Sequence, residues 1–509
     1  MAASRSLWIT AELTHALAAG SASASIATMS EQWISPLEVD PERMRAMAAR
    51  VSDLVTTHLA SLRDQPARQT LSRPDAKRLV GSLGPTAPEQ GIGFDAAIDE
   101  MVERILPYHA REPHPRFLGY VPSIPTFPAV LGDWLATGYN FFAGVWPIAS
   151  GPNEIELTIL DWFRQWLGLP NGAGGLLTSG GSTATLMAVV AARHARIGED
   201  GGVLPRLTLY TSTQAHSAVA RAAWIAGISR DHVRVLPTDN EWRLRADTVR
   251  DAAAADRAKG LVPFLVVASA GTTNTGAVDD LSAIAALCER ESLWLHVDAA
   301  YGAFAALTQR GPELLRGIER AHSVVLDPHK WLFVPFECGC LLARDPATLK
   351  AAFHIFPEYL KDVAPGEAEV NFADYGEQLT RYARALKVWL SVRTLGLAPI
   401  RAMIERGIVM AEYAESLVRR DPALEVLAPA ALGICCFRVH PAGVDDAAAL
   451  DALNERVNAA VNSSGRFLIS STRVDGKFSL RVCTHNWRTS EADIDELIGL
   501  VRSSFKEKT

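Results

Sequence analysis

The chain has 509 residues, of which 48% are apolar and 21% charged, and its formal net charge is −7. This is the composition of an ordinary globular protein, and it excludes a disordered or fibrous chain. The acidic balance and the scattered basic residues argue against a nucleic-acid partner.

The six cysteines show neither a disulfide pattern nor a zinc pattern. Cys338 and Cys340 form a C-x-C pair, and Cys435 and Cys436 are adjacent. Neither pair has a second half at the spacing of a zinc site. We therefore expect free thiols in a reducing cytoplasm and no metal. No apolar run reaches the roughly 18 to 20 residues that a membrane helix requires.

The N-terminal quarter of the chain is predicted to be helical after a short extension. Residues 1–28 are rich in Ala and Ser but lack the pattern of a secretory signal, so we expect a disordered extension or a translation start assigned upstream of the true one at Met29. Residues 29–125 form the predicted N-terminal helical segment. Its first helix starts at Pro41, where apolar residues recur about every 3.6 positions. Its second helix starts near Phe94 and ends before Pro107.

Short apolar runs alternate with amphipathic helices between residues 126 and 387. The strand-like "LVPFLVVASA" precedes the helix-like "DLSAIAALCERES", and the runs "LWLHVDAA", "SVVLD" and "GCLLAR" follow. Such alternation predicts a large α/β domain, with a mainly parallel sheet flanked by helices. Residues 388–509 are predicted to form a small C-terminal α+β domain, because helices there alternate with the strands "ICCFRVH" and "FSLRVCTH".

A glycine-containing turn marks the first candidate site. In open α/β sheets, ligands bind beyond the carboxyl ends of the strands. The stretch "LLTSGGSTATL" places Gly181 and Ser182 after such an end and at the start of a long helix. Free N–H groups and the helix dipole suit a phosphate there. An ordinary Ser/Thr helix cap after a glycine turn explains the same letters equally well.

Three further polar residues follow predicted strands. Asp298 is a buried carboxylate in need of a partner, which is either a ring N–H⁺ of a ligand or a protein group. His216 suits stacking on a flat ring, although a lone histidine is more often structural. Lys330 is one of nine lysines and lies between His329 and Trp331 in an apolar segment. An amine in such surroundings is nucleophilic, and a lysine that extends its amine into solvent is the alternative.

Taken in chain order, these four features are the parts that hold pyridoxal 5′-phosphate. The glycine turn seats the phosphate, and the histidine stacks on the ring. The aspartate keeps the pyridine nitrogen protonated so that the ring accepts electrons, and the lysine forms a Schiff base with the aldehyde.

Several longer motifs resemble one known family. The stretches "SGGSTATL", "QAHSAVARA", "GTTNTGAVDD", "WLHVDAAYG" and "DPHKWL" are similar to those of the group II pyridoxal-phosphate-dependent amino-acid decarboxylases, of the aromatic-L-amino-acid decarboxylase type. The resemblance extends from about Pro41 to Val501. It implies the fold type I of pyridoxal-phosphate-dependent transferases. It also implies a homodimer with the active site at the subunit interface.

The resemblance also implies roles for individual residues. Ala300 would pack against the ring face opposite His216. Tyr359, 29 residues after Lys330, matches a loop tyrosine that returns a proton to Cα. The implied catalytic residues are Lys330, Tyr359, His216 and Asp298, and the implied cofactor-binding residues are Gly181, Ser182, His216, Thr273, Asp298, Ala300, His329 and Lys330.

One position departs from the family pattern. Asp327 stands where many members have asparagine. A phosphate of charge about −1.5 to −2 would repel this carboxylate unless it is turned away or hydrogen-bonded.

The predicted substrate-binding residues are Tyr120, Val121, Pro122, Phe142, Trp146 and Arg381. The first five form an apolar slot for an aromatic side chain, or equally part of the core. Arg381 and the nearby Arg384 are candidates for orienting a loop or the substrate carboxylate, or helix-surface charges. Gly144 leaves extra room that suits an indole. Arg116 is the single basic candidate for recognising an acidic side chain.

We therefore predict a cytoplasmic, homodimeric enzyme that converts an aromatic L-amino acid of the tryptophan, tyrosine, phenylalanine or DOPA type to its amine and CO₂. The alternatives are an aromatic aldehyde synthase on the same scaffold, a decarboxylase of a non-aromatic amino acid, and a catalytically inactive binding protein. Retention of Lys330, Asp298 and His216 argues against the last of these.

Overall fold

The computed structural model describes residues 35, 37–81, 86–198, 206–355, 358, 366 and 368–506. They belong to two compact units, one within Met1–Ser61 and Ile92–Ile98, the other within Leu62–Gly91 and Asp99–Thr509. The predicted extension at residues 1–28 and the predicted catalytic residue Tyr359 lie outside the described residues.

The first unit contains helix α1, Pro41–Ala60, at the position predicted from the sequence. The Asp40 carboxylate accepts a hydrogen bond from the Arg43 backbone N–H at 2.9 Å and so caps the helix. Arg43 and Arg50 also donate to the Asp95 carboxylate, at 2.7 and 2.9 Å. These two guanidinium groups lower the pKa of Asp95.

The helices and strands follow in the order that the hydrophobic pattern indicates. The further described helices are α2 (Arg73–Gly81), α3 (Phe94–Arg104), α4 (Phe127–Tyr139), α5 (Trp146–Trp166), α6 (Gly181–Ile197), α7 (Ala218–Ile225), α8 (Ala246–Ala258), α9 (Leu281–Glu291), α10 (Gly311–Leu314), α11 (Pro328–Trp331), α12 (Ala347–Phe353), α13 (Ala385–Leu395), α14 (Leu397–Arg420), α15 (Ala447–Ser463) and α16 (Glu491–Lys506). The described strands are β1 (Phe117–Leu118), β2 (Gly174–Thr178), β3 (Leu207–Ser212), β4 (Val233–Leu236), β5 (Val262–Ser269), β6 (Trp294–Asp298), β7 (Ser323–Leu326), β8 (Gly339–Ala343), β9 (Leu424–Ala431), β10 (Ile434–Val439), β11 (Leu468–Val474) and β12 (Lys477–Cys483). Within these ranges, every helix is too short or too polar to cross a membrane.

The larger sheet has the strand order β2-β8-β7-β6-β5-β3-β4. Its strands run parallel except β8, which is antiparallel to both neighbours. Along β5, Val266 and Ala268 belong to one buried cluster, while Leu265 and Val267 belong to another. Since successive side chains of a strand point to opposite faces, both faces of the sheet are covered. The predicted α/β fold with a mainly parallel sheet is therefore confirmed.

The parallel arrangement brings five strand ends to one edge of this sheet. Strands β2, β3, β5, β6 and β7 end at Thr178, Ser212, Ser269, Asp298 and Leu326. Because these strands point the same way, the residues that follow them lie close together. This edge holds the candidate site.

The smaller sheet has the order β1-β11-β12-β10-β9 and is antiparallel apart from the β1–β11 pair. Its core includes Val457 and Val461 of α15 and Ile494 and Leu497 of α16. The predicted strands at β10 and β12 are present, and β9 and β11 complete the hairpins beside them. Strand β1 comes from the segment predicted to be helical, because a two-residue strand has no readable period.

Candidate active site

A cavity of about 350 Å³ opens at the carboxyl edge of the larger sheet. Described residues that follow β2, β3, β5, β6 and β7 line it, as expected for an α/β sheet. The structure brings together in its lining all of the residues predicted to bind a cofactor: Gly181, Ser182, His216, Thr273, Asp298, Ala300, His329 and Lys330.

The start of helix α6 forms one wall of the cavity. Its N-cap is Gly180, and no side chain caps the first turn. This excludes the ordinary Ser/Thr cap that the sequence left open. A Cβ on Gly181 would lie 2.9 Å from Asp327 Oδ2 and 3.2 Å from the Ala300 Cβ, so only glycine fits without displacing the lining. The first-turn N–H groups and the helix dipole therefore form a seat for an anion.

Lys330 lies on the short helix α11, directly after β7, with 24% of its side chain exposed. Its Nζ is 2.9 Å from Oδ2 of Asp327, which is buried. The amine is therefore not a solvent-directed one but is paired inside the cavity wall. The preceding residue, His329, has its Nε2 3.6 Å from the same oxygen.

His329 is held as a neutral ring. Burial lowers its pKa. The Cys338 backbone N–H donates to Nδ1 at 3.2 Å, so the proton of the neutral ring is on Nε2, which faces Asp327.

Asp298 ends β6 and points its carboxyl into the cavity. Burial raises its pKa, while the positive charge of Lys330 and the Ala300 N–H oppose that shift. Within the described part of the chain, its hydrogen bond is from this N–H to Oδ1, at 3.2 Å. A buried carboxyl with a raised pKa is stabilised in its ionised form when it pairs with a cationic N–H group.

His216 and Thr273 lie on two loops that border the cavity. The Ala218 backbone N–H donates to His216 Nδ1 at 3.2 Å, which leaves the Nε2–H for another partner. The Thr273 carbonyl accepts from Arg481 Nε at 2.9 Å, and Nη1 of the same guanidinium donates to the Tyr120 carbonyl at 2.8 Å. Arg481 therefore fixes the Thr273 loop to the Tyr120 segment. Nothing in the local sequence indicates this role, because Arg481 is one of many arginines in the chain.

A further lining residue, Glu337, was also missed from the sequence. Arg384 Nη2 lies 2.9 Å from its Oε1. Lys387 Nζ lies 3.3 to 3.4 Å from the carbonyl oxygens of residues 335–337 and 2.6 Å from Asp133 Oδ1. Helix α13 and the turn before it thus hold the loop after Lys330. The basic stretch "LTRYARALKVW" indicated such a role in the sequence. Arg384 contacts the loop that carries Glu337.

A sequence model of the pyridoxal-dependent decarboxylase conserved domain matches residues 80–440. The chain belongs to the pyridoxal-dependent decarboxylase family. It is 35% identical over 472 residues to the aromatic-L-amino-acid decarboxylase of Bacillus atrophaeus, covering 92% of this chain and 97% of that protein.

Two solved structures of the family extend this likeness to the backbone. The crystal structure of Oryza sativa TDC with PLP and tryptamine has a TM-score of 0.88 and 30% identity, covering 93% of this chain and 99% of that one. The crystal structure of Rhodiola rosea 4-hydroxyphenylacetaldehyde synthase has a TM-score of 0.85 and 26% identity, covering 93% of this chain and 100% of that one. The predicted family, fold type I and pyridoxal-phosphate dependence are confirmed.

The described residues fit the cofactor of this family. An uncapped helix start with room only for glycine suits the phosphate, and a cavity-facing amine suits the aldehyde. The raised pKa of Asp298 suits a partner that carries a proton on nitrogen. In the same ranges, no group of three or more His, Cys, Asp or Glu side chains is arranged to hold a metal ion.

The Arg381 side chain is not part of the described lining of the cavity. Its guanidinium is almost fully buried and donates to Glu156 Oε1 at 2.6 Å and to the carbonyls of Ala143 and Leu177 at 2.9 and 2.7 Å. The predicted substrate-binding role of Arg381 is therefore not supported, because its donors are engaged in the core. Sequence alone cannot separate a buried ion pair from a binding arginine.

Replacing Arg381 with methionine is expected to lower the free energy of unfolding by roughly 3 to 5 kcal/mol, because Glu156 would remain as an unpaired buried charge. Denaturant unfolding followed by circular dichroism measures this effect. The double variant with Glu156→Gln should recover part of the loss. A variant with native stability and only a raised KM would instead restore the substrate-binding role.

The other predicted substrate residues are absent from the described lining of the cavity: Tyr120, Val121, Pro122, Phe142 and Trp146. They lie in segments anchored by the interior. The Pro122 carbonyl is 2.6 Å from His485 Nε2, and the Trp146 backbone N–H donates to Asn371 Oδ1 at 2.7 Å. The Tyr120 side chain is largely exposed. Their substrate-binding role stays a prediction.

Gly144 does not provide room for a large ring. A Cβ at this position would collide with the carbonyl oxygen of Leu379. The prediction that its missing side chain leaves space for an indole is wrong, because backbone already fills that space.

Proposed function

We propose that this protein removes CO₂ from an aromatic L-amino acid of the tryptophan, tyrosine, phenylalanine or DOPA type and releases the amine. The observation that carries the proposal is the meeting of Lys330, Asp298 and His216 with an anion seat in one cavity. The similarity to an aromatic-L-amino-acid decarboxylase over 92% of the chain supports it.

When bound, the cofactor supplies an aldehyde carbon for an amine and a ring that accepts the electron pair left when CO₂ departs. In our proposal Lys330 supplies the protein amine, and Gly181 and Ser182 bind the phosphate through first-turn groups of α6. Asp298 holds a proton at the ring nitrogen. Each of these roles uses a group that faces the cavity.

The remaining lining residues are proposed to orient the flat ring. His216 and Ala300 would contact its two faces. Because the Ala218 N–H donates to His216 Nδ1, the Nε2–H would be the group that donates to a substrate carboxylate. Thr273 would contact the cofactor from its loop, and His329 would contact it from helix α11. Tyr359 is proposed to return a proton to Cα, on the strength of its position in the sequence.

An aromatic side chain is favoured over an acidic one. Arg116, the basic candidate for recognising an acidic side chain, lies 3.0 Å from Asp493 and 2.5 Å from Glu496. These two carboxylates therefore already neutralise the charge of Arg116. The apolar segment with Tyr120, Val121 and Pro122 is joined through Arg481 to the cavity loop, which supports a role in holding a ring.

Amine and CO₂ formation should be measured across the twenty amino acids together with DOPA and 5-hydroxytryptophan. Aromatic substrates are expected to give equal amounts of amine and CO₂, with kcat/KM at least about 100-fold above that of glutamate. Among the described lining residues Lys330 is the sole Lys or Arg, and it is proposed to join the cofactor, so an acidic side chain would be left unpaired. Preference for an acidic or diamino acid would overturn the proposed substrate class.

An aldehyde synthase is the second candidate, because the Rhodiola rosea enzyme has nearly the same backbone. That reaction joins the amino acid with O₂ and water and yields aldehyde, CO₂, ammonia and hydrogen peroxide. Peroxide and ammonia assays alongside CO₂ separate the two reactions. We favour the decarboxylase because Tyr359 stands at the position where relatives that carry phenylalanine resemble aldehyde synthases.

A homodimer is proposed as the working form. Helices α4 and α5 expose the large apolar side chains of Trp134, Leu135, Tyr139 and Ile148, which supports a covered face between two copies. Light scattering is expected to give about twice the chain mass of 55.0 kDa. A particle of single-chain mass would contradict the dimer.

A cytoplasmic location is also proposed. The thiols of all six cysteines are buried and free, which suits a reducing compartment. Recovery of the untagged protein in the cytosolic fraction checks this, and recovery outside that fraction would contradict it.

A further inference from the structure

Asp327 lies where a negative charge is least expected, against the anion seat. Both of its oxygens are close to the Cβ position of Gly181, at 2.9 Å for Oδ2 and 3.4 Å for Oδ1. The side chain is 3% exposed, and Oδ1 has no hydrogen-bond partner among the described residues. Its other oxygen, Oδ2, is 2.9 Å from Lys330 Nζ.

The surroundings of Asp327 provide little positive charge to offset it. Lys330 is the cation among the described groups that interact with it. The others are a histidine ring whose pKa is lowered by burial, a carboxyl whose pKa is raised by burial, and two thiols whose pKa is raised by burial: His329, Asp298, Cys338 and Cys340.

We propose that Asp327 sets how tightly this protein holds its cofactor, by pairing with Lys330 and by repelling the cofactor phosphate. The inference rests on the proposed phosphate seat at the start of α6. The amine that pairs with Asp327 is the one proposed to join the cofactor aldehyde, so cofactor binding competes with the Lys330–Asp327 ion pair. The bound phosphate then lies beside a carboxylate.

Asparagine at this position would keep the shape of the side chain and remove its charge. A phosphate carries about −1.5 to −2 charges at neutral pH, and two anions a few ångströms apart in a partly buried site repel strongly. We therefore expect Asp327→Asn to hold phosphate-bearing ligands at least about tenfold more tightly. A ligand without phosphate should gain much less.

The test uses two probes that lack the aldehyde, so that covalent bonding to Lys330 does not enter. Pyridoxine 5′-phosphate and pyridoxine are titrated into the cofactor-stripped full-length chain, and binding is followed by tryptophan fluorescence. The ratio of the two dissociation constants measures the preference for phosphate. This ratio should rise about tenfold or more in Asp327→Asn at low ionic strength, and the gain should shrink in high salt.

Asp374→Asn is the matched control. Asp374 is also a buried carboxylate beside a lysine and a histidine, at 3.7 Å from Lys350 and 3.2 Å from His354, but it is absent from the cavity lining. Its substitution should leave the phosphate preference unchanged. Thermal unfolding checks that each variant is folded, and Asp327→Ala serves as a second charge-free variant if the asparagine variant is not.

The outcomes separate this inference from the proposed function. An unchanged or reduced phosphate preference in both charge-free variants overturns the role of Asp327 and leaves the decarboxylase proposal intact. If neither the native chain nor Asp327→Asn prefers pyridoxine 5′-phosphate over pyridoxine, the phosphate seat is misplaced and the inference falls with it. An equal gain in the Asp374 variant also overturns it, because the effect would then not be local.

Discussion

Replacing Lys330 with alanine is expected to lower amine formation by at least about 10³-fold, because the protein loses the amine that its covalent chemistry requires. Lys330 Nζ is the amine that the structure places in the cavity wall, 2.9 Å from Asp327. The variant should also lose the link to its cofactor. Borohydride treatment followed by mass spectrometry of the peptide around residue 330 measures the link, and chromatography of the amine measures turnover.

Lys350→Ala is a close control for this experiment. Lys350 is also near a buried aspartate, at 3.7 Å from Asp374, but it is absent from the described cavity lining. This variant should keep both the borohydride-stable label and native turnover. A Lys330→Ala protein that still forms amine with cofactor covalently attached would contradict the assignment of the nucleophile.

Local sequence was sufficient to place the chemical groups that follow strands. Asp298 ends the run "LWLHVD", Lys330 comes four positions after the apolar run "SVVL", and Gly181 opens a long apolar helix. Parallel strands must bring their carboxyl ends to one edge, so these positions meet wherever the alternating pattern holds. The structure confirms that they share a cavity with His216.

Contacts between segments that are distant along the chain could not be predicted from the local sequence. Arg481 and the Tyr120 carbonyl are 361 positions apart, and nothing in either segment indicates the other. Arg381 and Glu156 are 225 positions apart. The sequence does not show that they form a buried ion pair, so Arg381 was predicted to bind substrate. Gly144 failed as a prediction for the same reason, because the carbonyl that fills its space belongs to Leu379. Such tertiary packing is decided by the whole chain rather than by local pattern.

Replacing Asp298 with asparagine is expected to lower kcat by about 10²–10³-fold, the usual loss when one preorganised electrostatic group is removed. Burial raises the pKa of Asp298 and so disfavours its ionised form, whereas a cation that lies against it favours that form. By reciprocity, the carboxylate favours the protonated form of a ring nitrogen placed there. Asparagine cannot do so, and the ring becomes a poorer acceptor of electrons. Single-turnover rates and the borohydride label together measure the effect, and the label to Lys330 should persist.

A cofactor analogue with carbon in place of the ring nitrogen supplies the decisive comparison. With the native chain, this analogue should react about as slowly as the natural cofactor does in Asp298→Asn. Combining the two changes should cost little more than either one, because both remove the same interaction and their effects are then not additive. If the combination lowers kcat by a further 10²-fold or more, Asp298 acts on another group. Lys330 is such a group, because its charge lowers the pKa of Asp298. The non-additive result would assign to Asp298 the protonation of the ring nitrogen.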